Sequence, residues 1–497
     1  MEIRKNPHIY EINLMTWLAE LSLKKDRAIT LKNIPREEWR YLKSLGMDFV
    51  WLMGIWQRSP YSIKRARKEP SLINECKLIL PDFSIDDIVG SPYAIYDYIP
   101  DQSFGYKEDL LRLKKILEEE DLFLFLDFVP NHTACDHQWI DKYPDRYIIK
   151  EVEDQGVCQE GFFLSGDHPD FKCVANGKDP NFPPWNDTAQ INYSRQNTVG
   201  AMSQTILDLT AYCHGLRCDM AMLLLKKIFL KTWGAYLDTE SDVLEFWPYA
   251  IDRLKYIGTP FLLMAEVYWG KESVLLDYGF DYVYDKHLYD LILEGNIVKI
   301  RDLISSPIDQ QEKMVRFLEN HDEPRAFQTI GPERIKGAMV MQATLPGMRF
   351  WHHGQLEGRK QKVPVQLRRA PQEIPDNNLK SFGEDLLREV NHPVFHEGVF
   401  TVCNTHGWSD NNSHVNLLAY CWARKGEKRL IIINLSPFSS QGYVIVPEDW
   451  AFTHNNLIIS DPIKNDVLKR AVSDIVREGL YVGLEKGDYH FFQIKEE

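Results

Sequence analysis

The chain has 497 residues, of which 44% are hydrophobic and 26% charged, which excludes a collagen-like, coiled-coil or mainly disordered protein. At roughly 100–200 residues per domain the length predicts about two to four domains, unless one large α/β barrel takes most of the chain. Acidic residues number 72 against 58 basic ones, a formal charge of −14; a phosphate-binding face needs clustered Lys and Arg, so no nucleic-acid partner is expected.

The N-terminal Met1–Pro7 runs straight into a strand-like segment, without the apolar region and small-residue cleavage site of a signal peptide. Tyr10–Leu14 reads as a strand, Pro35–Leu45 as a helix, Met47–Met53 as a strand and Lys107–Glu119 as a helix with its charges on one side. Leu122–Phe128 is apolar nearly throughout, which suits a parallel strand buried on both faces. Strands follow at Leu216–Met220, Phe261–Val267, Phe280–Tyr284, Met314–Glu319 and Met348–His352. Helical stretches such as Ile335–Gln342 lie between them, and Leu379–Val390 reads as the last barrel helix. Eight strands alternating with helices predict an α/β fold, a (β/α)8 TIM barrel. Ala134 to about Asp187 breaks the rhythm, rich in Asp, Gly, Pro and aromatics, and reads as a subdomain inserted after strand three. From about Asn391 the helical pattern fades. Asn416–Trp422, Arg429–Leu435, Gly442–Val446 and Tyr489–Ile494 predict a C-terminal antiparallel β domain. The expected boundaries are 1–133 and 188–390 for the barrel, 134–187 for the insertion and 391–497 for a C-terminal β-sandwich.

No stretch approaches the roughly 18 apolar residues of a membrane span, so no membrane partner is expected. The eight cysteines are sparse and form neither a Cys-x-x-Cys pair nor a zinc pattern. They read as reduced, mostly buried thiols in a cytoplasmic enzyme. The 13 Trp, 23 Tyr and 24 Phe are mostly core filling, with a few suited as platforms for neutral rings such as sugars.

In such a barrel, catalytic groups sit at the C-terminal ends of the strands. Those ends are polar here. Strand three ends Asp127-Phe128-Val129-Pro130-Asn131-His132, strand four Arg217-Cys218-Asp219, strand five Ala265-Glu266-Val267, and strand seven Glu319-Asn320-His321-Asp322. A buried acid is costly unless paired, so four converging at one rim point to a site. Carboxylates flanking a bond are the equipment of glycoside hydrolysis, one ionised and one protonated. Arg217 lies two residues before Asp219, so strand alternation puts both on one face, where the guanidinium keeps Asp219 ionised. Glu266 lies in the apolar run FLLMAEV, which suits a raised pKa and an acid role. Asp127 either belongs to the site or braces the strand end.

Four segments in this order, DFVPNH at 127–132, GLRCD at 215–219, AEV at 265–267 and FLENHD at 317–322, resemble the signature regions of glycoside hydrolase family 13, the alpha-amylase family. WLMGIW at 51–56, Gly90–Tyr98 followed by Phe104-Gly105, HHGQLEG at 352–358 and Gln190-Ile191-Asn192 add to the likeness, which covers residues 8 to about 390. The resemblance implies that Asp219 is the nucleophile, Glu266 the acid and base, and Asp322 the group that binds the sugar 2- and 3-hydroxyls. It implies that Arg217 orients Asp219, that His132 and His321 hydrogen-bond the sugar next to the scissile bond, and that Tyr93 stacks beneath it; loop packing is the other reading of Tyr93. A neutral oligosaccharide or α-glucan is the expected substrate, cleaved with retention by a cytoplasmic α-glycosidase.

Two departures from the family pattern matter. Many members have Lys-His shortly after the nucleophile, serving a product-side sugar and a structural calcium; here Met220-Ala221-Met222-Leu223-Leu224 follows instead. Calcium prefers about six to eight oxygens, so with only Asn131 remaining none is expected at the usual site, and no cofactor or metal is expected elsewhere. Exo-acting relatives often pair an Asp just before the stacking Tyr with an Arg after the seventh-strand Asp. Arg325 is present, but Gly90-Ser91-Pro92 precedes Tyr93, and Asp87 substitutes only if its loop folds back. Two other functions remain open: a transglycosylase or sugar phosphorylase of the same family, and a non-catalytic carbohydrate-binding homologue.

Overall fold

The computed structural model describes residues 3–151, 158–166, 171–237, 243–258, 260–450 and 452–497. Eight parallel strands close into a barrel: β1 (His8–Asn13), β2 (Phe49–Met53), β3 (Phe123–Phe128), β4 (Gly215–Cys218), β5 (Leu262–Ala265), β6 (Tyr282–Tyr284), β7 (Met314–Arg316) and β8 (Met348–His352). Each strand pairs with its neighbours in the chain, and β1 closes the ring by pairing with β8. Each of the eight expected strands overlaps one of these. The FVWLM of β2 is buried at every position, because side chains fill the barrel on one face and helices cover the other. The helix Arg36–Ser44 shows the complementary pattern: Trp39 and Leu42 are buried while its Arg and Glu residues face outward, and Trp39 packs against Trp17 with ring centres 5.3 Å apart.

Strand β7 is shorter than the run Met314–Glu319 suggests. Its ladder to β8 ends at Arg316↔Arg349. Phe317–Asp322 then leaves the sheet and carries polar groups to the barrel mouth.

Between β3 and β4 the chain forms a three-stranded antiparallel sheet from Ile149–Lys150, Phe162–Ser165 and Lys172–Ala175, and pairs Thr188–Gln190 with His132–Ala134. Residues 152–157 and 167–170 of the expected insertion lie outside the described residues. A disulfide joins Cys158 to Cys173. It corrects the expectation of reduced thiols for these two cysteines and withdraws the thiol argument for a cytoplasmic location. The hairpin of Phe162–Ser165 and Lys172–Ala175 brings the pair together, a contact that their spacing in the chain does not signal. The other six cysteines are free and buried.

The C-terminal region is antiparallel throughout. It contains β9 (Val399–Cys403), β10 (Thr405–His406), β11 (Leu418–Arg424), β12 (Glu427–Ile433), β13 (Ser440–Val444), β14 (Asn456–Asp461), β15 (Asp466–Ala471), β16 (Leu480–Leu484) and β17 (Tyr489–Glu496). They form a six-stranded sheet, in the order β9-β11-β12-β17-β14-β15, and a three-stranded sheet, β10-β13-β16. One face of the larger sheet shares the barrel's core through Tyr420, Trp422, Ile431, Ile433 and Phe491; the other, with Leu430, Ile432 and Phe492, lines a second core against Val444, Val482 and Leu484 of the smaller sheet. The barrel helix Ile335–Thr344, buried at every position except Lys336, is clamped between the barrel and the larger sheet. Trp422 Nε1 donates to its Thr344 carbonyl at 2.8 Å, and the Thr344 and Tyr420 hydroxyls share a hydrogen bond of 2.7 Å. Among the described residues no helix is long and apolar enough to cross a membrane.

Candidate active site

The site is built where β4, β5 and β7 run out of ladder. Arg217 is inside β4, wholly buried, and its guanidinium is shared between two acids. Nη1 donates to Asp219 Oδ1 at 2.6 Å, and Nη2 lies 2.8 Å from Glu266 Oε2 as a close ionic contact. Three aromatic rings surround the cation, those of Trp51, Tyr93 and Tyr284, at 5.3, 5.4 and 5.8 Å from their centres. Glu266 is fixed further by the backbone N–H of Met220, which donates to Oε2 at 2.7 Å, and by the Tyr268 hydroxyl, which donates to Oε1 at 2.7 Å.

Burial raises the pKa of Glu266, Arg217 opposes it, and Asp219 and Asp322 add to it; the result is about 7. Burial also raises Asp219, against the pull of the Arg217 charge and hydrogen bond. Two buried carboxylates around one guanidinium disfavour each other's charge, which favours a proton on Glu266 while the Arg217 hydrogen bond favours the charge on Asp219. Asp322 differs. Burial works to raise it, but the His321 charge and hydrogen bond outweigh burial and hold it well below the usual carboxylate range. His321 Nε2 lies 2.9 Å from Asp322 Oδ2 and 2.7 Å from the Tyr93 hydroxyl.

Asp219, Glu266, Asp322, His132 and Tyr93 line one cavity of about 350 Å³, together with Trp185 and Gln366. Arg217 and His321 stand behind its wall. His132 is buried, which lowers its pKa to about 4 and keeps it neutral. Of the expected site residues only Arg325 neither lines the cavity nor contacts a residue that does. Its guanidinium turns inward to Glu319 and His352, both 2.5 Å from Nη1, and to the His353 carbonyl at 2.8 Å. Asp87 does not fold back either; Arg368 and Arg369 hold it at 3.1 and 2.8 Å. Both halves of a chain-end clamp are thus committed elsewhere.

The residues around Asn131 do not suit a cation. The Gln190 side-chain N–H₂ donates to Asn131 Oδ1 at 3.1 Å, to the Asn131 carbonyl at 3.0 Å and to the Ile191 carbonyl at 3.1 Å. An amide fills the point where three oxygens converge. Among the described residues no group of three or more His, Cys, Asp or Glu is placed to hold a metal ion.

Sequence reasoning missed Glu11. This wholly buried acid on β1 accepts from His321 Nδ1 at 2.5 Å, across 310 residues of chain. Its one signal is an acid within the strand HIYEIN. Burial lowers the His321 pKa, but Asp322 and Glu11 together raise it to about 10. The imidazolium therefore stabilises the fold fully below its unfolded pKa of about 6.5, and this contribution is lost as pH rises through about 10. Glu11→Gln leaves a buried cation short of a partner and is expected to cost about 3 kcal/mol near pH 6. The variant's melting temperature should fall less steeply than the wild type's between about pH 7 and pH 10. Circular dichroism melts across that range check this; parallel curves for the two proteins would contradict it.

The model for the alpha amylase catalytic domain matches residues 31–194. Maltase A1 of Drosophila melanogaster is 22% identical over 64% of this chain and 60% of its own length. A 4-alpha-glucanotransferase of Thermotoga maritima is 24% identical over 64% of this chain and 66% of its own. The chain therefore spans about three fifths to two thirds of these curated relatives. A maltogenic alpha-amylase from Thermotoga neapolitana superposes with a TM-score of 0.67 at 18% identity, covering 99% of both chains. An alpha-amylase from Geobacillus thermoleovorans, solved with acarbose, superposes with a TM-score of 0.66 at 17% identity over the whole of both chains. With the barrel, the strand-end acids and the signature segments in place, the chain is similar to the alpha-amylase family, glycoside hydrolase family 13, whose catalytic-domain model matches the first part of the barrel and the insertion.

Proposed function

We propose that the protein is a retaining glycoside hydrolase that cleaves α-glucosidic bonds of α-1,4-glucans or maltooligosaccharides. The observation that carries this reading is the single guanidinium of Arg217 shared by Asp219 and Glu266 at the wall of a cavity. Asp219 attacks the anomeric carbon while the Glu266 carboxylic acid gives its proton to the departing glycosidic oxygen, forming a β-glycosyl ester. Glu266, now ionised, takes a proton from water, and the resulting hydroxide attacks the same carbon and releases Asp219. Two displacements return the α-anomer. Asp322, held ionised by His321, accepts hydrogen bonds from the sugar 2- and 3-hydroxyls, while His132 and Tyr93 position the ring. Proton NMR of maltoheptaose with the purified protein tests this: shorter α-anomeric maltooligosaccharides are expected first, and initial β-anomers would refute retention.

The acid must carry its proton, so kcat/KM should fall as pH rises through about 7. Tyr268→Phe removes a hydrogen bond to the ionised form and should move that fall to higher pH. A pH–rate profile with no alkaline limb below about pH 9 would contradict the assignment of Glu266 as the acid.

A second reading has one specific observation behind it. Met220 joins the cavity to a neighbouring cleft of about 530 Å³ lined by Phe182, Tyr268 and Trp269. Such a surface suits a sugar acceptor better than water. Products longer than the substrate would favour transglycosylation, and a glucosyl phosphate formed only with added phosphate would favour phosphorolysis.

The amide-filled point at Asn131 supports a protein that needs no calcium there. Treatment with EDTA should leave both melting temperature and activity unchanged; a drop in either, reversed by calcium, would overturn this.

A further inference from the structure

The three-stranded C-terminal sheet carries rings on the wrong side. Its inner face follows the usual alternation: Val444, Leu480, Val482 and Leu484 are buried in the second core. The outward face of a solvated antiparallel sheet ordinarily reads polar. Here His406 of β10, Tyr443 of β13 and Tyr481 of β16 lie directly opposite one another in the ladder. Their ring centres are 5.2 and 5.7 Å apart. Trp408 stands at the side of this row, 6.0 Å from Tyr443 and 6.3 Å from Tyr481. Trp408 is 37% exposed and Tyr481 48%.

The next position along the same face pairs Gln441 with Gly483. A side chain added at Gly483 would meet only the Tyr481 hydroxyl at 3.7 Å and the Gln441 Cβ at 3.9 Å, so the glycine leaves open space beside the rings. The Gln441 side-chain oxygen accepts from the Tyr481 hydroxyl at 2.7 Å. Flat apolar faces thus alternate with hydroxyl and amide groups, and the row contains no Lys, Arg, Asp or Glu.

We propose that this face is a second carbohydrate-binding site, remote from the barrel cavity, that takes two or three consecutive glucose units of an α-glucan chain. The inference rests on the α-glucan reading of the barrel site. Sugar rings present C–H faces that pack on aromatic rings and hydroxyls that reach the polar edges. The uncharged row matches a neutral ligand and offers nothing to a polyanion. Its size argues against a protein partner. Aromatic side chains have about 150–250 Å² each, and these are half exposed at most, so the patch offers far less than the roughly 800 Å² per partner of a stable interface.

The test uses full-length Glu266→Gln protein, to prevent digestion, in native gels containing amylopectin. The Glu266→Gln protein should be retarded, and addition of Trp408→Ala and Tyr481→Ala should weaken apparent affinity about tenfold. In the otherwise wild-type background the same two changes should leave hydrolysis of 4-nitrophenyl α-maltoside unchanged, which shows that the fold and the barrel site are intact. Equal retardation with and without the two substitutions, no retardation of the Glu266→Gln protein, or conversion of a dimer to a monomer by the substitutions would each overturn the proposal. Absence of maltoside hydrolysis in the wild type, with retardation of the Glu266→Gln protein still weakened by the two substitutions, would instead overturn the barrel reading, so the two failures are distinguishable.

Discussion

Asp219→Asn should lower kcat on maltoheptaose by about 10⁴-fold or more, a loss of about 5.5 kcal/mol of transition-state stabilisation. The change keeps the size and an acceptor for Arg217 but replaces the carboxylate proposed to attack carbon with a neutral, weakly nucleophilic amide. It also alters Glu266. With the Asp219 charge gone, Arg217 is left with Glu266 as its close carboxylate neighbour, and the acid's pKa should fall below its wild-type value of about 7. Near neutral pH the variant should therefore carry the Glu266 proton less often, as well as lacking the proposed nucleophile. Azide supplied from solution can replace the missing nucleophile when the substrate is α-glucosyl fluoride, whose leaving group needs no proton. The expected product is the β-glucosyl azide. Full activity in the variant, or failure of azide to rescue a folded variant, would remove Asp219 from its role.

Glu266→Gln separates acid catalysis from nucleophilic attack. An amide cannot give a proton, so kcat on maltooligosaccharides should drop by about 10³-fold. The first step with α-glucosyl fluoride should be nearly unaffected, because fluoride leaves unaided. The alkaline limb of kcat/KM should also disappear, since the titrating group is gone. Single-turnover measurements on the two substrates check this. An equal loss on both would mean that Glu266 acts on something other than the leaving oxygen.

The barrel was legible because its strands are buried on both faces. FVWLM and LFLFLDF leave no polar alternation to mistake for a surface strand. Their ends were less legible, as at Phe317–Asp322, where apolar residues continue after the ladder stops. The insertion was legible only as a break in the rhythm after strand three: its strands are two to four residues long, and its disulfide depends on a hairpin with no sequence signature. In the C-terminal region Val399–Cys403, Asn456–Asp461 and Leu480–Leu484 escaped notice because they alternate and are short. At the site, acids in apolar runs announced themselves by their cost of burial. Arg325 shows the limit of that argument. Three residues from Asp322 in the chain, it belongs to a different cluster because Glu319 offers it a closer, drier partner. Glu11 shows the converse, since its importance comes wholly from a histidine 310 residues further along the chain.

The ring closes only when β1 meets β8, and the bond between Glu11 and His321 spans that seam. A growing chain has made Asp219 and Glu266 long before it has made the strand that completes the wall behind them. On the proposed reading, a chain that ends before residue 352, the end of β8, lacks that wall and is expected to be inactive however well its helices form.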